Sequence, residues 1–379
     1  MTTPRTQARL IYSASESDAN MLWATGFFAP DPFIFVEKRG KRYLVMSDLE
    51  MDRARDQAHV DKVLSYTSYV RRLLSEGGPQ PPVADVISEV LSDLKITAVD
   101  VPTTFPLGLG DALRQRRIQV TPTPDPFWAK REYKTIDEVR NIRLSLEAAE
   151  KGIEAGIGAI RRTVIKKDER LLLDGTPLTS EILKQIINTT IMSLGFVPSH
   201  SIVASGNQCV DPHNEGSGPI LANTSIIMDI FPRSQKTGLF GDISRTVVRG
   251  KASDRLKAAY RCVEEGQKIG FRRIRNGVDA FEIHAEIQRH FEKKGFSTGM
   301  IDGRMQGFFH GTGHGLGLDI HEAPGINSRH HTILKTGHVV TVEPGLYYTG
   351  MGGVRLEDVV LVTRTGCENL VRIPKNLEV

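Results

Sequence analysis

Four acidic residues sit inside stretches that otherwise read as apolar strands, and they restrict this chain more than any other feature. Asp229 interrupts Ser225-Ile-Ile-Met-Asp-Ile-Phe231, and Asp242 opens Gly241-Asp-Ile-Ser-Arg-Thr-Val-Val248. Glu343 ends Val339-Val-Thr-Val-Glu343, and Glu357 lies within Val354-Arg-Leu-Glu-Asp-Val-Val-Leu-Val362. An ionised carboxylate withdrawn from water costs several kcal/mol unless something compensates it. The four form two pairs, 13 and 14 residues apart, each separation suited to crossing a hairpin. On facing hairpins they would repel one another unless cations lay between them. Two divalent ions would balance the four charges. His314, in Gly311-Thr-Gly-His-Gly-Leu-Gly317, is a natural fifth ligand, because its neighbouring glycines allow close backbone approach. Mostly oxygen donors favour the harder first-row ions, Mn²⁺ first, with Co²⁺, Fe²⁺ or Zn²⁺ as alternatives.

The helices ahead of each pair repeat a pattern. Thr135-Ile-Asp-Glu138 is a capping box, in which the Thr and Glu side chains satisfy otherwise orphaned backbone donors at a helix start. Val139, Ile142, Leu146, Ala149, Ile153, Ile157 and Ile160 then recur every three or four residues, the buried face of a long amphipathic helix. A second helix runs near Ser180–Leu194 and stops at Gly195-Phe196. A long helix from Ser253, a shorter one from Ala280 and a stop at Gly295-Phe296 follow the same grammar. The chain therefore reads as a faint internal repeat, two helix-helix-hairpin halves that supply two carboxylates each.

At 379 residues the chain is long enough for two domains, so residues before this repeat need a fold of their own. Residues 1–128 alternate strands and helices, an α/β domain, and residues 129–379 form the second domain. Phe33–Glu37 and Arg42–Met46 flank Lys38-Arg39-Gly40-Lys41 as a hairpin. Helices are expected near Leu49–Ala58, Tyr69–Ser75 and Val83–Leu94, a loop at Gly77–Pro82, and a strand over Ile96–Val101. Thr121-Pro-Thr-Pro-Asp-Pro126 is expected to be a linker, because its prolines resist helix and central strand alike.

The overall composition, 40% hydrophobic and 25% charged, excludes disorder, collagen and coiled coil. A net charge of +4 shows no nucleic-acid-binding arm. Cys209, Cys262 and Cys367 are far apart and odd in number, which fits a reducing, cytoplasmic compartment better than a disulfide framework. Met1–Leu10 has no apolar stretch of the signal-peptide kind, and no run of about 18 apolar residues suggests a membrane span. Of eleven histidines, six fall between His310 and His338, so chemistry is expected in the second half.

Five strings in order resemble the pita-bread metallopeptidases, a family that includes Xaa-Pro dipeptidases (prolidases), aminopeptidase P and methionine aminopeptidase. They are Gly241-Asp-Ile-Ser-Arg-Thr246, His310-Gly-Thr-Gly-His-Gly-Leu-Gly317, His321-Glu-Ala-Pro324, Val342-Glu-Pro-Gly-Leu-Tyr347 and Gly353-Val-Arg-Leu-Glu-Asp358. The resemblance implies a pita-bread catalytic domain with pseudo-twofold halves, preceded by a creatinase-like α/β domain as in the proline-specific members. It also implies two metal ions, with Asp229 on one of them, Asp242 and Glu357 bridging both, and His314 and Glu343 completing the sites. Glu343 would accept the proton of the metal-bound water. His213, in Val203-Ala-Ser-Gly-Asn-Gln-Cys-Val-Asp-Pro-His213, and His321 would flank the substrate, and His310 would line the proline-side pocket. Arg355, two residues before Glu357, is expected on the same strand face, supporting Glu357 or the substrate, or serving only as an ion-pair partner of Asp358 or Glu357.

The implied substrates are short peptides with proline second, and relatives often dimerise, which makes a homodimer the expected assembly. A non-catalytic binding module, a methionine aminopeptidase and a creatinase-type hydrolase are alternatives. Two departures stand out. The Asp229–Asp242 segment is two residues longer than is usual in the family and carries Phe231-Pro232 where a small residue is frequent. Gly325 stands where many prolidases carry an arginine that grips the substrate carboxylate, a role Arg329 could take instead. His284, His290, His330, His331 and His338 are expected to be surface, helix or loop residues without a role.

Overall fold

The structure is a computed structural model that describes residues 8–74 and 79–379. Most of the Met1–Leu10 segment, the predicted helix end at Ser75 and the start of the Gly77–Pro82 loop lie outside the described residues. The chain divides into two units, Met1–Arg131 and Glu132–Val379.

The first unit is built on a six-stranded mixed sheet: β1 (Ala8–Ser13), β2 (Phe33–Lys38), β3 (Lys41–Met46), β4 (Lys62–Ser65), β5 (Ala98–Pro102) and β6 (Gln119–Thr123), in the order β4-β3-β2-β1-β5-β6. The predicted hairpin is β2–β3, with Lys38 opposite Lys41. Its two turn residues, Arg39 and Gly40, both have positive φ, 49° and 82°, the twist that a two-residue hairpin loop requires. Strand alternation sends Leu10, Ile34, Val36 and Val45 into one apolar cluster and Ile11, Phe35, Leu44 and Met46 into another. The predicted helices appear as Met51–Gln57, Tyr66–Leu74 and Val83–Asp93. One expectation is corrected: the proline-rich linker begins inside a strand. Thr121-Pro122-Thr123 belongs to β6, with Pro122 opposite Val101. β6 is the sheet's edge, where a missing backbone N–H breaks no ladder.

In the second unit the long helix Ile136–Arg162 starts at the predicted capping box, and both of the box's hydrogen bonds are formed. Its expected apolar face is buried except for the partly buried Ile157. The helices Ser180–Ser193, Asp254–Arg273 and Ala280–Lys293 complete the repeat. Gly195 and Gly295, each at φ 85°, end the two shorter ones.

The two long helices carry the same device. A Cβ on Gly152 would lie 2.8 Å from Ile191, and one on Gly156 would lie 3.0 Å from Ile187 and 3.1 Å from Met228. In the second half a Cβ on Gly266 would lie 2.7 Å from Phe291, and one on Gly270 would lie 2.8 Å from Val342. Met228 and Val342 directly precede Asp229 and Glu343, so in each half one glycine of the pair seats the strand residue just before a carboxylate.

Ile226–Ile230 pairs antiparallel with Ile243–Val247, and Val339–Val342 pairs with Asp358–Val362. The stretch Val354–Val362, expected as one strand, is two. Gly352–Arg355 pairs with Gly345–Tyr348, and Asp358 starts the next strand. In the gap, the backbone N–H of Glu357 donates to Ser244 O at 3.1 Å, a bond across the two halves that a continuous ladder would not make.

Candidate metal and active site

The break at Leu356-Glu357 turns Glu357 toward the Asp229–Asp242 hairpin. Ser244 Oγ donates to Glu357 Oε2 at 3.0 Å and accepts from Arg355 Nε at 2.9 Å. Arg355 and Glu357 thus reach the same hydroxyl, as the alternation argument expected, although the strand is interrupted between them. Arg355 pairs with neither Asp358 nor Glu357. Its Nη2 lies 2.7 Å from Asp229 Oδ2. Asp358 is held instead by Arg245, at 2.8 Å and fully buried on both sides, and by Lys375 Nζ. Arg245 Nη1 also donates to the carbonyl of Glu357 at 2.7 Å, which fixes the backbone of that residue from behind.

His314 enters from the glycine-flanked strand Gly313–Gly315, where a Cβ on either glycine would fall within 2.4 Å of a facing backbone atom. Its Nδ1 lies 3.1 Å from Gly315 O and must donate there, leaving the Nε2 lone pair free. Nε2 points at carboxylates, 3.3 Å from Glu343 Oε1 and 3.6 Å from Asp242 Oδ2. Ligand atoms of Asp242, His314 and Glu357 all lie within 4.8 Å of one another.

This cluster is electrostatically unbalanced by protein groups alone. Burial, then Asp229 and Glu343, push the Asp242 carboxyl well above the usual range. Burial, then Asp242, Glu343 and Asp229, do the same to Glu357. Glu343 is raised to about 7 by burial and by Asp229, against the opposing pull of Arg355. Asp229 Oδ1 and Glu357 Oε1 are buried with no hydrogen-bond partner. Orphaned acceptors beside an imidazole with its lone pair turned inward are what a cation needs, and Gly315 O already holds the imidazole's other nitrogen in its donating form. The residues fit divalent metal.

These side chains line a cavity of about 810 Å³ that also takes in His213, His310, His321, Arg329 and Arg355, so every candidate residue meets one space. His321 is exposed, and its ring packs edge-on to His314 with centroids 4.3 Å apart. His213 and Arg329 are likewise exposed at the wall. His310 is more constrained. Its Nδ1 donates to Gly311 O at 2.7 Å, so Nε2 accepts from Tyr347 OH at 2.9 Å, and the tyrosine in turn accepts from Arg355 Nη1 at 3.1 Å. Burial and the nearby Arg355 hold His310 down to about 3, a neutral ring. Phe231, in the lengthened segment, also lines the cavity.

Two histidines expected to lie on the surface do not. His284 is buried on the inner face of its helix, 3.0 Å from Thr312 Oγ1, and lines the cavity. His338 is buried beneath Tyr133 and accepts from the backbone of Lys335 at 3.2 Å. Sequence reasoning also passed over Ser244, Tyr347 and Arg245, although all three lie inside motifs it had singled out. Glu322 was missed in a different way. Its buried ion pair with Lys134, at 2.9 Å, closes the loop that carries His321, and a separation of 188 positions in sequence left no local signal.

The profile of metallopeptidase family M24 matches residues 140–364, and the chain belongs to that family. Among curated proteins it is 38% identical over 176 residues to the uncharacterized peptidase YqhT of Bacillus subtilis, 46% of this chain and 47% of that one. It is 30% identical over 245 residues to the Xaa-Pro dipeptidase of Pyrococcus furiosus, 64% of each chain. The match thus spans about half of the first relative's length and under two thirds of the second's. The Xaa-Pro dipeptidase structure from Bacillus anthracis superposes with a TM-score of 0.82 at 24% identity, over 99% of this chain and 95% of that one. An X-Pro aminopeptidase structure from Thermotoga maritima gives 0.81 at 22% identity, over 99% and 98%. The fold is therefore that of a creatinase-like N-terminal domain followed by a pita-bread domain. Among the described residues no helix is long and apolar enough to cross a membrane.

Proposed function

We propose that the chain is a metal-dependent exopeptidase that hydrolyses the bond between an N-terminal residue and proline. The observation that carries this reading is the convergence of Asp229, Asp242, His314, Glu343 and Glu357 on one cavity with two carboxylate oxygens orphaned. Asp229, Asp242 and Glu357, with His314 and Glu343, would hold two divalent ions, Mn²⁺ first by donor hardness. Bound there, the ions would lower the pKa of a shared water and polarise the scissile carbonyl.

The chain's own groups supply the rest. Glu343 is the proton acceptor, since its Oε1 is already tethered by the Thr341 hydroxyl at 3.3 Å and faces the cluster. His321 and His213, both exposed in the cavity, are placed to hydrogen-bond a developing oxyanion; such a donor is typically worth about 3 to 4 kcal/mol. The leaving prolyl nitrogen must be protonated, and an exposed imidazole can relay that proton. His310, neutral and fixed between Gly311 and Tyr347, gives the proline side of the cavity a rigid, uncharged wall. Arg355 restrains Asp229, and Arg329 is a cation at the rim. The two sequence domains, 1–128 and 129–379, would then be a non-catalytic and a catalytic domain. A reducing, cytoplasmic compartment fits the three unpaired thiols, and the family resemblance carries the expectation of a homodimer.

A substrate panel tests the reading. Xaa-Pro dipeptides, Xaa-Pro-Xaa tripeptides and Met-Ala-type peptides are offered to chelator-treated protein with and without Mn²⁺ or Co²⁺. Metal-dependent cleavage confined to the proline peptides is expected. Cleavage of Met-Ala peptides alone, or of none, would overturn it in favour of a methionine aminopeptidase or a binding module.

A further inference from the structure

One buried imidazole in the cavity wall has no part in the chemistry described above. His284 lies on the inner face of the helix Ala280–Lys293, 4% exposed, with its ring against Phe308 at 5.0 Å between centroids. A polar ring on an apolar helix face costs free energy unless its nitrogens are bonded. Its Nδ1 lies 3.0 Å from Thr312 Oγ1. That hydroxyl is fully buried and has no other acceptor among the described residues, so it donates and Nδ1 accepts. Burial lowers the pKa of the ring and so favours the neutral form that can accept.

Thr312 carries this bond to the carboxylate cluster. Its backbone N–H donates to Ile326 O at 2.7 Å, and its carbonyl accepts from Glu343 N–H, also at 2.7 Å. Glu343 stands one residue past the ladder that Val339–Val342 forms with Asp358–Val362, and the Thr312 carbonyl is what its N–H bonds there. Two residues after Thr312 comes His314, whose Nε2 lies 3.3 Å from Glu343 Oε1. One residue therefore sets the backbone of two candidate ligands against each other.

Within Gly311-Thr312-Gly313 only Thr312 has a side chain, and glycine restrains its own backbone least. The bond to His284 is the one side-chain hydrogen bond of that stretch among the described residues. An apolar ring at position 284 would fill the same space and leave the Thr312 hydroxyl unpaired, free to turn the peptide that bonds Glu343.

We propose that His284 is a positioning residue: by holding the Thr312 side chain it fixes the spacing of Glu343 from His314, and so tunes the affinity of the site for divalent metal without touching the ion. This rests on the metallopeptidase reading of the same cavity.

Mn²⁺ binding to stripped protein by titration calorimetry, beside kcat and KM on an Xaa-Pro peptide, separates this role from that of a histidine that only fills the core. His284→Phe keeps a ring on Phe308 and removes the acceptor. Mn²⁺ should then bind about tenfold more weakly, the low end for a partner behind a metal ligand, and at saturating metal kcat should fall more than KM rises. His284→Asn places Oδ1 as many bonds from the backbone as Nδ1 and should restore most of the affinity. Thr312→Val should reproduce the loss, also where His284→Phe does not fold. The two together should be no worse than either alone, because both act through one bond. Weakened binding in His284→Phe that His284→Asn restores, in a protein that cleaves no Xaa-Pro peptide, would uphold the inference and defeat the peptidase reading. Unchanged Mn²⁺ affinity in His284→Phe and Thr312→Val, whatever their melting temperatures, or additive losses in the double variant would overturn the inference. A wild type that binds no Mn²⁺ would overturn it together with the metal site.

Discussion

Removing one negative charge from the metal-free cluster should stabilise the protein, and the size of the gain follows from Glu343. Its carboxyl is raised from 4.5 to about 7 by burial and the neighbouring Asp229. At 1.36 kcal/mol per unit, this corresponds to about 3 kcal/mol between the two protonation states. The sign is that of an acid raised in the folded state. Its contribution to stability is fully present below about pH 4.5 and is lost as pH rises through about 7. Buried histidines such as His310, held at about 3, act the other way up to about pH 6.5, so a single melting curve mixes the two.

Comparing wild type with Glu343→Gln cancels that background. In chelator-treated protein the variant should match wild type near pH 4.5 and be more stable by about 3 kcal/mol at pH 8. For a domain of this size the difference is on the order of 10 °C in Tm. Mn²⁺ at 1,000 times its Kd should reverse the order, since it adds about 4.1 kcal/mol to the chain that binds it, more than the variant's advantage. The assay is a set of thermal melts of both proteins from pH 4.5 to 8, with and without metal. A metal-free wild type that is the more stable of the two at pH 8 would refute the reasoning, because the carboxylate would then have a protein partner.

Three further outcomes follow from the surrounding bonds. Arg245→Met should cost about 1 to 3 kcal/mol in urea unfolding, because the fully buried Asp358 loses one of the two cations that hold it and keeps only Lys375. Tyr347→Phe leaves His310 Nε2 without its donor; the expected cost is about 1 to 3 kcal/mol, and the ¹⁵N shift of Nε2 should move while Nδ1 stays protonated. Lys134→Met removes the buried partner of Glu322 and frees the His321 loop, so kcat should fall more than KM rises. An unchanged kcat would mean that the loop is held by other contacts.

The parts of the fold that were legible in the sequence are those specified locally. The capping box at Thr135, the glycine stops at Gly195 and Gly295 and the Arg39-Gly40 turn each depend on a few adjacent residues. The carboxylates were legible for an energetic reason, since an acid in an apolar strand demands compensation wherever the chain folds. Long-range partners were not legible. Arg355 lies closer in sequence to Glu357 and Asp358, yet the break at Leu356 turns it onto Asp229, 126 residues away. His284 looked like any polar residue on an amphipathic helix until Thr312 and the cavity faced it. Pro122 argued against a strand because edge and centre cannot be told apart before the sheet is assembled.

The central claim is that four carboxylates and one imidazole hold the ions that make this chain a peptidase. Titrating Mn²⁺ into stripped protein, counting bound ions while following cleavage of an Xaa-Pro peptide, tests it most directly. Two ions per chain are expected, with activity appearing as they load, and Glu357→Ala should lose both the stoichiometry and the activity while remaining folded. Full activity in the stripped protein, or two bound ions and undiminished cleavage in Glu357→Ala, would contradict the account.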